Sequence, residues 1–151
     1  MSDELDELYR EVILDHTKRP RNYRVIEDAN HCADGHNRLC GDKLRLYAKV
    51  ENGVITDIAF KGEGCSISTA SASMMTEALK GKTVAEADKI FARFHEVLTG
   101  PPDKEVDAAD LGKLAAFGGV RKFPVRVKCA TLAWHTLEAA LKDEHKPVST
   151  E

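Results

Sequence analysis

The sequence predicts an α+β fold: one domain over residues 1–151 in which a small antiparallel β-sheet packs against several α-helices. Three observations carry that expectation. Apolar residues recur at helical spacing near both ends of the chain, the stretch from Lys43 to Lys61 alternates with a period of two, and 151 residues suffice for a single hydrophobic core. With 42% hydrophobic and 31% charged residues, the chain is too apolar and too mixed in sign for intrinsic disorder.

The first helix is marked by Leu5, Leu8, Tyr9, Val12, Ile13 and His16 on one face, with Ser2 available as a cap and Pro20 as a stop. His16 on that apolar face reads as a packing or hydrogen-bonding residue. Between Lys43 and Lys61, Leu44, Leu46, Ala48 and Val50 alternate with polar residues, and Val54, Thr56, Ile58 and Phe60 follow after Glu51-Asn52-Gly53. A two-residue loop would place the two apolar rows on opposite faces, so the pattern favours a three-residue loop with Gly53 in the left-handed conformation. Val50 then opposes Val54, Ala48 opposes Thr56, Leu46 opposes Ile58 and Leu44 opposes Phe60. Extending the ladder sets Asp42 opposite Gly62 and Cys40 opposite Gly64, beside Cys65. A third, short strand is expected over His31 to Asn37.

After Cys65, the small-residue run Ser66 to Lys80 reads as a helix with Ile67, Ala70, Met74, Met75 and Ala78 facing inward, closed by Gly81. Thr83 and Glu86 form a capping box for the next helix, whose stripe is Val84, Ala87, Phe91, Phe94 and Leu98, ended by Gly100-Pro101-Pro102. Asp103 to Asp110 reads as a loop, Leu111 to Phe117 as a short helix and Gly118-Gly119 as a break. Val127, Ala130, Trp134, Leu137 and Leu141, preceded by Pro124, give the last helix. The tail over 143–151 is expected to be flexible.

Composition excludes several function classes. Twenty-two basic against 25 acidic residues leave a formal charge of −3, which supplies no general attraction for nucleic acid or an anionic membrane. The acidic N-terminus lacks the basic and apolar regions of a secretory signal, and no apolar run approaches the ~18 residues of a membrane span. A cytoplasmic protein is therefore expected. In a reducing compartment, four cysteines (Cys32, Cys40, Cys65 and Cys129) point to metal or thiol chemistry rather than disulfides.

No two cysteines form a CxxC pair, so zinc ribbons and thioredoxin-type motifs are unsupported, and any site is assembled from distant segments. Glycines beside Cys40 and Cys65 permit close backbone approach, while helix starts expected at Cys65 and Cys129 favour the thiolate. Three thiolates and the Asp42 carboxylate would surround Zn²⁺ as a tetrahedral, doubly negative site with one harder, exchangeable position. The alternative is that small, half-buried cysteines merely fill the core. Cys32 is an alternative fourth ligand on a weakly patterned strand, and His31 and His36 read as loop residues that could also ligate.

The segments LYREVILDHTKRPRN from Leu8, Cys40-Gly41-Asp42, Gly64-Cys65-Ser66-Ile67-Ser68 with ASASMMT from Ala70, and FPVRVKCATLAW from Phe123 appear in order around three of the cysteines. Together they resemble the NifU/IscU family of iron–sulfur cluster assembly proteins, and within it the SufU type. IscU-type chains carry a histidine before the third cysteine and a Leu-Pro-Pro-Val-Lys chaperone motif, whereas this chain has Lys128 and Phe123-Pro124-Val125-Arg126. A segment around 94–116 looks like the SufU-type insertion. The resemblance implies zinc held by Cys40, Asp42, Cys65 and Cys129, and sulfur accepted from a SufS-type cysteine desulfurase for downstream Suf cluster-assembly components. The desulfurase would hold the pyridoxal phosphate. Cys40, on the most flexible backbone, is the expected sulfur acceptor. Arg126, in the basic stretch before Cys129, is a further candidate, and Cys32 inherits no role. A [2Fe–2S] scaffold using the same ligands and a purely structural zinc domain are the competing readings.

Overall fold

A computed structural model describes residues 2–101, 108–143 and 147–150. The elements run α1 (Ser2–Lys18), β1 (His31–Asn37), β2 (Asp42–Glu51), β3 (Val54–Glu63), α2 (Ser66–Leu79), α3 (Val84–Thr99), a 3-10 segment (Ala109–Lys122), α4 (Pro124–Leu141) and β4 (Val148–Ser149). The sheet order is β3-β2-β1-β4. The three long strands are antiparallel, and β4 adds to β1 in parallel, pairing Gly35 with Val148 and His36 with Ser149. The architecture is thus α+β, with a mixed rather than purely antiparallel sheet. The end of the tail expected to fray instead returns to the sheet, because Val148 packs on Ala33, Ala139 and Ala140.

The β2–β3 register differs from the sequence expectation. Asn52 and Gly53 both take positive φ, 52° and 76°, so they form a two-residue turn and Glu51 opposes Val54. A bulge at Thr56 follows: Val50 faces Ile55, Lys49 faces Asp57, Ala48 faces Ile58 rather than Thr56, Leu46 faces Phe60 and Leu44 faces Gly62. The extra residue reverses the inside–outside phase of β3 once, so Ile55 before it and Ile58 and Phe60 after it are all buried. No unbroken ladder achieves that, whatever its loop length.

One face of this sheet receives the helices, α4 against β1 and β2 and α2 against β3, while α1 lies on α2. Burial follows the amphipathic stripes: Leu44, Leu46, Ile58 and Phe60 meet Ala70, Met74, Met75, Leu132, Trp134 and Leu137 in one core. Close approach of α4 to β1 depends on Gly35, where a Cβ would collide with Thr136 Oγ1 and stand 3.2 Å from Leu132 Cδ1. His16 is buried as expected, its Nδ1 2.7 Å from Ser73 Oγ on α2. Ser73 Oγ also accepts the Arg21 backbone N–H at 2.8 Å, which pins the turn after α1.

The capping box of α3 is present with both reciprocal bonds at 3.0 Å. Phe94 of α3 stacks on Trp134 at 4.6 Å and meets Phe117 edge-on at 5.8 Å. Within the expected insertion around 94–116, Phe94, Val97, Leu98, Leu111 and Leu114 therefore belong to the core. The expected loop over Asp103 to Asp110 falls mostly outside the described residues. Its neighbour is a longer 3-10 segment, and the break lies at Gly112 (φ 57°, ψ −129°) rather than at Gly118-Gly119.

Candidate metal centre

Four elements converge where β1 ends, β2 and α2 begin and α4 enters its second turn. Cys40 lies in the four-residue turn Arg38–Gly41 joining β1 to β2, where Gly41 has a φ of 71° and its N–H points to the Arg38 carbonyl at 3.4 Å. This is a tight hairpin turn rather than a frayed strand end. Asp42 opens β2 and is buried. Cys65 is the N-cap of α2, with extended backbone, and its Sγ accepts the Ser68 N–H at 3.5 Å.

Cys129 sits further along its helix than the sequence suggested. Pro124 occupies the first helical position, so Cys129 belongs to the second turn of α4 and is buried. Its position provides no free helix-start N–H to favour a thiolate.

Ligand atoms of Cys40, Asp42 and Cys129 all lie within 4.8 Å of one another. The sulfurs of Cys40 and Cys129 are 2.6 Å apart, and Cys65 Sγ flanks the group at 3.8 Å from Asp42 Oδ2. Asp42 Oδ1 also accepts the Cys65 backbone N–H at 2.7 Å, so one carboxylate ties the start of α2 to the start of β2. The true register places Lys43 opposite Glu63, which brings Gly64 rather than Gly62 beside Asp42. A Cβ at Gly64 would stand 2.5 Å from Asp42 Oδ1 and 3.1 Å from its Cα. Glycine is the residue that lets these strands close here.

Crowding and burial determine the electrostatics. Burial raises the Cys65 thiol above its ordinary range despite the Ser68 N–H, and the neighbouring Asp42 charge adds to the rise. Burial likewise drives Cys129 strongly upward, reinforced by its contact with Cys40 and by the charges of Cys65 and Asp42. The expectation that helix starts at Cys65 and Cys129 favour the thiolate is corrected: without a cation, desolvation and like charge keep both protonated at neutral pH. Three thiols and one carboxylate gathered in this way suit a thiophilic divalent ion, whose charge would offset both penalties.

The remaining candidates lie elsewhere. Cys32 is exposed on β1, 3.4 Å from Arg45 Nη2, on a residue paired with Tyr47. His31 and His36 are strand residues of β1, not loop residues, and His31 Nδ1 sits 3.0 Å from the Ala140 carbonyl. Arg126 is exposed in the first turn of α4, its guanidinium stacked 4.5 Å over the Phe123 ring. One neighbour escaped the sequence reading. Asn37, fully buried at the end of β1, places Nδ2 3.8 Å from Cys129 Sγ. An Asn just before a strand-ending turn was the available signal.

Comparison with known proteins fits this geometry. A family model described as the NifU-like N terminal domain matches residues 8–130. The zinc-dependent sulfurtransferase SufU of Bacillus subtilis (strain 168) is 48% identical over 141 residues, covering 93% of each chain. The iron–sulfur cluster assembly scaffold protein IscU of Streptococcus pyogenes serotype M1 is 43% identical, covering 91% of this chain and 85% of its own. A crystal structure from Fervidobacterium islandicum AW-1, described as an iron–sulfur cluster assembly scaffold protein for the SUF system, superimposes with a TM-score of 0.81. It is 38% identical, and the alignment covers 89% of this chain and 97% of that one. With a family model spanning most of its length and relatives above 40% identity over nine-tenths of it, the chain belongs to the NifU-like N-terminal domain family.

Proposed function

We propose that this chain is a zinc-dependent sulfur acceptor in iron–sulfur cluster assembly. It takes persulfide sulfur from a SufS-type cysteine desulfurase in the cytoplasm and passes it to downstream Suf components. The observation that carries this reading is the convergence of Cys40, Asp42, Cys65 and Cys129 from three separate segments, with Asp42 and Cys129 buried. The name of the Bacillus subtilis relative supports it. No described helix is long and apolar enough to cross a membrane.

Cys40, Asp42, Cys65 and Cys129 would hold the ion, and zinc bound there would keep the cysteines as thiolates at neutral pH. Among them, Cys40 is the acceptor. Cys129 is buried within a helix, and the Cys65 backbone is fastened to Asp42, whereas Cys40 rides a turn beside a left-handed glycine. The Cys40 thiolate attacks the outer sulfur of the donor's persulfide. A new S–S bond forms on Cys40, the donor's S–S bond breaks and its cysteine leaves as a thiolate, so no external oxidant is consumed. Leu39, Phe123 and Val125, all exposed, offer a donor protein apolar surface next to Cys40 and at the start of the Cys129 helix.

Incubation with a desulfurase and cysteine, followed by mass spectrometry, tests the assignment. Added sulfur on Cys40 is expected; sulfur on Cys65, Cys129 or Cys32 with Cys40 unmodified overturns it. The names of the Streptococcus and Fervidobacterium relatives favour a second reading, assembly of a [2Fe–2S] cluster on the same side chains. Elemental analysis separates the two: about one zinc per chain supports the first, and iron with acid-labile sulfide supports the second.

A further inference from the structure

The geometry assigns Asn37 a positioning role that links three of the four candidate ligands, an inference that rests on the metal reading above for one of its two arms. Asn37 is the last residue of β1 and is paired directly with Asp42 across the hairpin. Its side chain is completely buried, and both ends of its amide are in use. Oδ1 accepts the Leu39 backbone N–H at 3.1 Å, the short-range bond of an Asx turn. Nδ2 points at Cys129 Sγ, 3.8 Å away on α4.

The orientation of this amide is determined by its partners. Flipping it would set an N–H against the Leu39 N–H, so the acceptor must face the turn and the donor must face the sulfur. The acceptor end folds the turn that presents Cys40 one residue beyond Leu39. The donor end stabilises electron density on the Cys129 sulfur, as hydrogen bonds from outside the ligand set commonly do around metal-bound thiolates. A rigid strand end thereby sets the distance between a sulfur on a turn and a sulfur on a helix. Without that link the Cys40 turn keeps the long Gly41 N–H bond to the Arg38 carbonyl at 3.4 Å, and Cys129 has lost a polar neighbour.

Two variants separate the two ends. Asn37→Ala removes both bonds. Asn37→Ser keeps a short acceptor able to receive the Leu39 N–H but has no group that reaches the sulfur. In metal-free, reduced protein, brief alkylation followed by mass spectrometry gives the ratio of modified Cys40 to modified Cys65. That ratio is expected to rise several-fold in Asn37→Ala and to stay close to wild type in Asn37→Ser. Zinc affinity, measured by competition with a chromophoric chelator, is expected to fall by about 10–100-fold in both variants, with the cobalt-substituted protein showing sulfur-to-metal charge transfer at lower energy. An alkylation ratio unchanged in Asn37→Ala overturns the assignment whether or not zinc binds. Wild-type zinc affinity in both variants overturns the donor role. If the wild-type chain binds no zinc but the ratio responds, the metal reading falls and the positioning of Cys40 by Asn37 stands. Circular dichroism melting of each metal-free variant accompanies the measurement; if Asn37→Ala does not fold, the zinc affinity of Asn37→Ser decides the donor role, and Leu39→Pro, which removes the N–H that Oδ1 receives, takes its place for the alkylation ratio.

Discussion

Replacing Asp42 by alanine is expected to destabilise the metal-free protein, although it removes a negative charge from a cluster of acidic groups. Two effects oppose each other. The carboxylate accepts the Cys65 N–H at 2.7 Å, and loss of a hydrogen bond to a charged group costs about 1.5–3 kcal/mol. Against this, the same carboxylate repels thiolates at Cys65 and Cys129, and both thiols are raised partly for that reason. At neutral pH the raised thiols are protonated, so little repulsion is available to relieve and the lost bond dominates. For a chain of this length, where 1 kcal/mol corresponds to roughly 2–4 °C, the melting temperature should fall by about 3–12 °C. Asp42→Asn keeps an oxygen for the Cys65 N–H and exchanges a charged bond for a neutral one of about 0.5–1.5 kcal/mol, so its loss should be about half as large. Thermal melting of reduced, metal-free protein at neutral pH provides the assay, with zinc competition run alongside. Both variants should hold zinc more weakly than wild type. An Asp42→Ala variant that melts at or above the wild-type temperature would show that charge crowding outweighs the bond and refute the reasoning.

Two further outcomes follow from burial elsewhere. His16 is held below its ordinary value of 6.5 by burial, with Arg21, Glu77, Asp15 and Lys113 the charged groups that act on it, and burial lowers His135 in the same direction. A base whose folded pKa is depressed binds protons more readily when unfolded, so the stability these groups allow is present above about pH 6.5 and is lost as pH falls below it. Melting temperatures of the metal-free protein should be flat from that point to about pH 8, above which the raised thiols ionise first in the unfolded chain, and should decline beneath about pH 6.5, with a shallower acid decline in His16→Gln; an identical slope would contradict the assignment. At the sheet–helix contact, Gly35→Ala drives a Cβ into Thr136 Oγ1 and should cost about 1–3 kcal/mol or more by denaturant titration. Adding Thr136→Ala should return part of that loss, and strictly additive costs would argue against the clash.

Much of the candidate site was legible in the sequence because it depends on chemistry that residue types carry with them. Thiols, a carboxylate and flanking glycines name a metal centre wherever they meet, and the capping box at Thr83, the stop after Thr99 and the proline at the start of α4 are local signals that need no distant partner. The Asn52-Gly53 pair likewise chose its own turn. What that turn implied for the faces of β2 and β3 depended on the bulge at Thr56, which exists because Ile55, Ile58 and Phe60 must all reach one core. Alternation read along a single strand has no access to that requirement. The same limit explains Cys129, whose thiol is governed by its depth within α4 and by the sulfur and carboxylate beside it. It also explains β4, two residues whose place beside β1 is set by a small apolar contact with Ala139, Ala140 and the distant Ala33, at the other end of the chain. Asn37 makes the distinction clearest. Its bond to Leu39 is local and belongs to the sequence, whereas its bond to Cys129 spans 92 positions and was created only when α4 settled onto the sheet over Gly35.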